Sequence, residues 1–228
     1  MVISCNQPYF FPYPGFFLKI HLSDISVIMD SVQFPRGGTW LTRNRLKNDK
    51  GIFWINVPVI KKGRGLQRID QVEIAEEFYR PKKILRSIEM AYRWAPYLKD
   101  HITFLEDIFN SKKFKFLFDL NYKIIRYVID YLNLNTKIVL LSELGIDAKG
   151  EDLIIEIFKR LNGKTFLSQI HTRSYLNPDR FKAEGIDLRF FRMPKLVYPQ
   201  LWGDYIQNLS ILDLLLNCGP KSKDILFT

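Results

Sequence analysis

Cysteine is scarce in this chain, with two residues, Cys5 and Cys218, among 228. They stand far apart and form no CxxC pair, so a zinc or dithiol centre built on cysteine is not expected. Both sit in apolar company, where a buried free thiol is the ordinary outcome. No uninterrupted apolar run approaches the ~20 residues needed to span a bilayer. The first segment, Val2–Cys5, reads as a strand rather than as a charged n-region followed by an apolar h-region. The expectation is a soluble, cytoplasmic protein with no membrane insertion. Also missing are a P-loop, a GxGxxG turn, a nucleophile elbow, zinc-finger spacing, an RNA-recognition signature and any long Lys/Arg block. The three histidines, His21, His101 and His171, share no metal-ligand spacing, so no metal is expected, and no cofactor is indicated.

What is present is apolar and basic. Hydrophobic residues make up 47%, enough for a sizeable core, and the formal net charge is +10. Three readings of that charge stand: a nucleic acid, an anionic small molecule such as a nucleotide sugar or acyl donor, or a solvated basic surface. The missing motifs weaken the case for nucleic acid, and it ranks last because the aromatic cluster and the basic residues lie within one βαβ unit rather than along an extended groove. Neither an internal repeat nor a low-complexity stretch is visible.

Val2–Cys5, Phe16–Leu22 and Ile25–Met29 read as strand, short helix and strand within ~30 residues, a βαβ unit with parallel pairing and a right-handed crossover. Ile52–Val59 and Gln71–Ile74 read as further strands. Residues 76–134 change to helical periodicity over Lys82–Arg93, Tyr97–Phe109 and Lys115–Leu132, with Pro81 suited to a helix start. Strand and helix then alternate again: Lys137–Leu141, Glu151–Leu161, Thr165–Ser168 and Asp187–Phe191. A last helix covers Asn208–Leu216, capped by Ser210 or Asn208. The predicted class is α/β, a mostly parallel Rossmann-like sheet with flanking helices, forming one domain over 1–228 in which 76–134 is a helical insertion or lobe.

A loop that follows the first strand of a parallel sheet lies at the strands' carboxyl ends, where α/β proteins bind ligands. Here it holds Gln7, Tyr9, Phe10, Phe11, Tyr13 and Gly15 with three prolines. Prolines stiffen the backbone and aromatic faces stack on a base, a sugar or an acyl chain. Gln7 offers donor and acceptor, and Gly15 lets the next helix start against a phosphate; alternatively the aromatics plug a gap in the core. Asp30 ends the second strand, with Gln33 after it; a carboxylate there binds a ribose hydroxyl or a metal, acts as a base, or caps a turn. Arg43, Asn44, Arg45 and Lys47 form a compact anion-binding group beside Trp40, or a solvated charged turn. His171 follows the strand Thr165–Ser168 and is the histidine placed for acid–base work.

Gln7-Pro8-Tyr9-Phe10-Phe11-Pro12 with Gly15, Asp30-Ser31-Val32-Gln33-Phe34, Arg43-Asn44-Arg45 and Val57-Pro58-Val59 together resemble the signature of the WbqC-like family. So do Ala95-Pro96-Tyr97, Phe166-Leu167-Ser168, Ser174-Tyr175-Leu176 and the closing Leu209–Gly219 run. The resemblance spans nearly the whole chain. It implies a place in surface-polysaccharide or O-antigen biosynthesis, alongside sugar-nucleotide enzymes. A looser similarity links the opening to HxGH-type nucleotidylyltransferases and pantothenate synthetases, whose loop histidines contact nucleotide phosphates. Gln7 and Tyr9–Gly15 occupy that stretch without either histidine, so transfer through such a pair is not expected. The leading expectation is a transferase acting on a nucleotide-linked amino sugar, for example by acylation. In it Arg43, Arg45 and Lys47 contact phosphate, Gln7, Tyr9 and Tyr13 position the substrate, and Asp30 or His171 handles protons. The rivals are a non-catalytic adaptor of polysaccharide assembly and an RNA-binding protein.

Overall fold

Ile25–Ile28 is a run of four buried residues, as a strand covered on both faces must be. In the computed structural model, which describes residues 1–110 and 114–227, it is strand β2. It pairs in parallel with β1 (Val2–Asn6) from Ile3–Ile25 to Asn6–Ile28, across the helix α1 (Pro14–His21). On its other side it pairs in parallel with β5 (Lys137–Leu140). The chain continues through α5 (Gly150–Leu161), β6 (Thr165–Gln169), α6 (Pro178–Ala183) and β7 (Asp187–Phe191). The result is a five-stranded parallel sheet in the order β5-β2-β1-β6-β7, a Rossmann-like α/β arrangement flanked by helices. Phe166 of β6 packs edge-on against Phe158 of α5 and beside Phe181 of α6. Asn162 ends α5 in the left-handed conformation, at φ +53°, as helix-terminating asparagines do. Gly163 follows because a Cβ there would lie 2.5 Å from Ile3 Cδ1 and 2.6 Å from Phe158.

These elements form one of two compact units, made of residues 1–7, 15–31 and 134–194, here called the sheet unit. The second comprises residues 8–14, 32–133 and 195–228. It contains an antiparallel hairpin, β3 (Arg43–Asn48) and β4 (Gly51–Asn56), paired from Arg43–Asn56 to Asn48–Gly51. Its helices are α2 (Pro81–Tyr92), α3 (Leu98–Asn110), α4 (Leu117–Tyr131), α7 (Ile211–Cys218) and α8 (Ser222–Phe227). Pro81 is the first residue of α2, and Leu85, Ile88, Ala91 and Tyr92 form its buried face at helical spacing. Ser210 caps α7, its Oγ accepting from the Leu212 N–H at 3.2 Å. The core of this hairpin–helix unit gathers Phe10, Phe11, Leu41, Leu46, Ile88, Tyr92, Leu105, Phe109, Ile124, Leu212 and Leu216.

Two segments differ from expectation. Arg43–Asn48 is a strand rather than a charged turn, because Asn44 and Leu46 alternate inward while Arg43 and Arg45 stay partly or fully exposed. Gln71–Ile74 is not a strand. A 3-10 turn at Ile69–Gln71 is followed by isolated bridges, Glu73 to Phe116 and Ile74 to Val59. The helices α6 and α8, six residues each, carry too short a pattern to be read from periodicity.

Candidate functional site: the open end of the parallel sheet

From β1 the chain travels outward to β2 and β5, then crosses back to β6 and β7 on the opposite side. Right-handed crossovers in opposite directions put their helices on opposite faces, leaving a crevice at the carboxyl ends of the two strands where the direction reverses. Those strands are β1 and β6. Their ladder has two pairs, Val2–Thr165 and Ile3–Phe166. Beyond Ile3, β1 continues to Asn6 paired with β2, and beyond Phe166, β6 continues to Gln169 paired with β7. The two strands therefore part company over their last three residues, at the carboxyl end.

Unusual polarity surrounds this end. Ser4, Asn6 and Ser26 are buried in what should be an apolar sheet interior. They satisfy one another: Asn6 Nδ2 donates to Ser26 Oγ at 2.9 Å and to Ser4 Oγ at 3.3 Å, and Ser4 Oγ donates to Ser26 Oγ at 3.2 Å. Gln7 comes directly after β1, partly buried, and Gly15 is buried in the first turn of α1. His171 is exposed on the 3-10 turn Ile170–Ser174 that follows β6. Asp30 is buried just past β2, and both of its oxygens accept from Ser142, one from the N–H at 3.0 Å and one from the hydroxyl at 2.5 Å. Asp30 thus ties the end of β2 to the turn that follows β5.

Lys19 of α1 is 4% exposed, and its Nζ donates to the Cys5 carbonyl at 3.0 Å. The neighbouring Asn6 carbonyl accepts from Met29 N–H, on the β2 side. Carbonyls alternate direction along a strand, so that of Cys5 points the other way, towards β6, where the ladder has already stopped. Lys19 takes the place of the missing ladder donor. Burial pulls its ammonium down to about 8, opposed by the neighbouring Cys5. Burial likewise pushes the Cys5 thiol up to about 12 and the Cys218 thiol up to about 11, which leaves neither as a ready nucleophile. The sequence held one signal for Lys19, a single charge inside the apolar run Phe16-Phe17-Leu18-Lys19-Ile20.

The remaining sequence candidates lie in the hairpin–helix unit. Phe10 and Phe11 are core residues, with Phe11 stacked on Phe109 at 6.0 Å, while Tyr9 and Tyr13 are partly buried. Phe11 holds a left-handed backbone, φ +43°, uncommon for an aromatic residue. Asn44 fixes it, donating from Nδ2 to the carbonyls of Phe10 at 3.1 Å and Phe11 at 2.6 Å. Arg43 and Arg45 flank a pair of exposed tryptophans: Trp40 and Trp54 stack at 5.6 Å, with the Arg43 guanidinium 4.9 Å from the Trp54 centroid and that of Arg45 5.9 Å from Trp40. Arg45 also donates to the carbonyls of Gln207 and Asn208. Lys47 is buried and donates to the Asp204 carbonyl at 2.5 Å and to Gln200 Oε1 at 3.4 Å. Gln33 is exposed and bridges to Arg68 through the backbone. The hairpin therefore sets Arg43, Arg45 and Lys47 on one face of β3 and Asn44 on the other. Trp54 was not singled out from sequence, because pairing across the hairpin is what sets it beside Trp40.

A shallow concavity lined by Pro178, Lys182, Gly185, Ile186, Asp187 and Leu188 opens at the amino end of β7, the wrong end of a parallel sheet for the ligand site. Among the described residues, no group of three or more His, Cys, Asp or Glu side chains is placed to hold a metal ion. No helix among them is long and apolar enough to cross a membrane.

A parallel, doubly wound sheet with an open switch point defines a Rossmann-like α/β protein. Within that class, a profile of the WbqC-like protein family matches residues 7–225, and the chain belongs to this family. It is 28% identical over 225 residues to the uncharacterized protein Rv1507c of Mycobacterium tuberculosis (strain ATCC 25618 / H37Rv), covering 98% of this chain and 96% of that protein. No solved structure matches the chain significantly.

Proposed function

We propose that the protein is a transferase of surface-polysaccharide biosynthesis that modifies a nucleotide-activated amino sugar, by a group transfer such as acylation. One observation carries this reading: the parting of β1 and β6 at the topological switch point, where doubly wound sheets take nucleotides. The place in O-antigen or related polysaccharide biosynthesis that the WbqC-like resemblance implies suggests the sugar, and the net charge of +10 suits a phosphorylated ligand.

In this reading Gln7 and Gly15 contact the substrate at the end of β1, and His171, exposed after β6, moves the proton of the acceptor amine or hydroxyl. Asp30, both oxygens taken by Ser142, serves the reaction by holding the loop after β2. The hairpin–helix unit, taken by itself, carries a second group proposed for anion and ring contacts, Tyr9, Tyr13, Gln33, Arg43 and Arg45, while Asn44 holds the Phe10 and Phe11 carbonyls and Lys47 the Asp204 carbonyl. A thermal-shift panel of UDP-, dTDP-, GDP- and CMP-linked sugars tests the ligand class. Stabilisation by a nucleotide sugar, lost in Gln7→Ala, is the expected result. Mass spectrometry of the bound sugar with acyl donors then reads the transfer, which His171→Ala should slow roughly 100-fold, the typical worth of one acid–base group. No shift with any nucleotide sugar would leave the protein as a non-catalytic member of a polysaccharide assembly.

A further inference from the structure

Among the described residues, the sheet unit contains a buried cation with no carboxylate paired to it. Lys19 Nζ has three protons to donate, and the Cys5 carbonyl is the acceptor the described residues give it. The carboxylates at the two ends of β2 are committed elsewhere: Asp24 accepts from the Val2 N–H at 2.7 Å, and Asp30 accepts from Ser142. On the strand beneath, Cys5 is the titratable group that acts on Lys19, and its thiol is held neutral by burial. On α1 itself His21 is exposed, and on β5 Lys137 is exposed. Buried charges in folded proteins are paired or neutralised, because an unpaired one loses its hydration without recompense. A structural lysine would be cheaper as methionine or leucine, which pack the same stem. Lys19 also stands at one particular place, the β6-facing edge of β1 where the ladder has stopped.

From this geometry we infer that Lys19 is the cation of the switch-point crevice, and that its ammonium binds a phosphate oxygen of the ligand between the carboxyl ends of β1 and β6. The inference rests on the nucleotide-linked substrate proposed above and deepens it, since it names the group that receives the phosphate. The Cys5 carbonyl orients Nζ by taking one proton, and two protons remain for the phosphate. No P-loop or Gly-rich turn is needed, because the charge comes from a helix side chain in place of a backbone cradle. An incoming phosphate also restores the full positive charge, so binding at mildly alkaline pH takes up a proton.

Titration calorimetry of the full chain with two probes, UDP and inorganic pyrophosphate, in two pH 8.5 buffers of different ionisation enthalpy, tests this. For the wild type the expected result is binding with proton uptake. Lys19→Met should weaken both probes about tenfold or more, the worth of a charge-assisted hydrogen bond, and abolish the uptake. Lys19→Arg, which keeps the charge and does not titrate, should retain more affinity than Lys19→Met and show no uptake; it also guards against a methionine variant that fails to fold, as a melting curve reveals. Equal UDP affinity and equal uptake in wild type and Lys19→Met overturn the role of Lys19 and leave the nucleotide reading standing. Pyrophosphate bound through Lys19, with UDP no tighter, supports the lysine and removes the nucleotide. Failure of the wild type to bind either probe overturns both.

Discussion

Each unit buries an ionisable side chain, and the two are treated in opposite ways. In the hairpin–helix unit Asp213, in the first turn of α7 and 1% exposed, is surrounded by donors. The Tyr92 hydroxyl donates to one oxygen at 2.7 Å and the Tyr198 hydroxyl to the other at 2.8 Å. Burial raises its carboxyl above the ordinary range, and both hydroxyls and the charge of Lys47 pull it back. In the sheet unit Lys19 has one carbonyl and no counter-charge among the described residues. A buried carboxylate with a hydroxyl donor on each oxygen is architecture, since it joins α2, α7 and the segment around Tyr198. A buried ammonium with donors to spare is incomplete, and the incompleteness points to a ligand.

The contrast predicts that Asp213 cannot be removed. Asp213→Ala strands two buried tyrosine hydroxyls, whose ionisation burial already opposes strongly. Loss of one partner from a buried charged network costs about 3–5 kcal/mol. Urea denaturation should therefore show a drop of that order, and Asp213→Asn, which still accepts one bond, a smaller one. A loss below about 1 kcal/mol in the alanine variant would mean that the network does not hold the unit together.

His101 sharpens the comparison by acid. It is fully buried on α3, its Nδ1 2.6 Å from the Tyr127 hydroxyl, and burial lowers it to about 4. Folded His101 thus takes up its proton later than the unfolded chain, which binds one near 6.5. Between those values the unfolded state holds more protons, so the contribution is present above about 6.5 and lost as pH falls towards 4. Denaturation midpoints should decline over that window by an amount equivalent to about 2–3 kcal/mol. His101→Phe should flatten the decline.

How much of this was legible depends on how far apart the partners lie. The parallel strands announced themselves through short buried runs such as Ile25–Ile28, and the helices α2 to α5 through periodicity, because both signals are local. Ser210 was readable as a cap for the same reason. The β1–β6 adjacency joins residues more than 160 positions apart, and the point where the ladder stops has no local signature. Lys19 looked like a stray charge on an apolar helix; only the direction of the Cys5 carbonyl gives it a place. Asn44 and Lys47 were grouped with the arginines by proximity in sequence. Strand alternation sends Asn44 inward to the Phe10 and Phe11 carbonyls, and Lys47 meets a loop more than 150 residues away.

Lys19 should also behave oppositely to Asp213 in stability. Its folded ammonium titrates near 8 and its unfolded one near 10.5, so the unfolded state holds more protons between those values. The penalty of burying the charge is complete below pH 8 and is relieved as pH rises through that window. Lys19→Met should then equal or exceed the wild type at pH 7, by about 1–2 kcal/mol after the lost bond to the Cys5 carbonyl is counted. The margin should shrink from pH 8 to 9, before the Cys5 and tyrosine ionisations of the unfolded state work against stability. A variant less stable than the wild type by more than about 2 kcal/mol would make Lys19 a structural residue like Asp213.

The smallest effect belongs to the exposed face of the hairpin. Arg43 sits over Trp54 and Arg45 near Trp40, and Arg45 alone adds hydrogen bonds, to the Gln207 and Asn208 carbonyls. Exposed cation–π contacts contribute about 0.5–1 kcal/mol. Arg43→Ala should therefore cost less than about 1 kcal/mol, and Arg45→Ala slightly more, because two backbone carbonyls lose a donor and turn to water. If these arginines work on substrate, their removal must weaken nucleotide-sugar binding by more than it weakens the fold. Calorimetry on Arg43→Ala and Arg45→Ala beside their denaturation curves separates the two effects. Unchanged affinity with a small stability loss assigns this face to the hairpin's own packing and leaves the sheet unit as the place where the ligand is read.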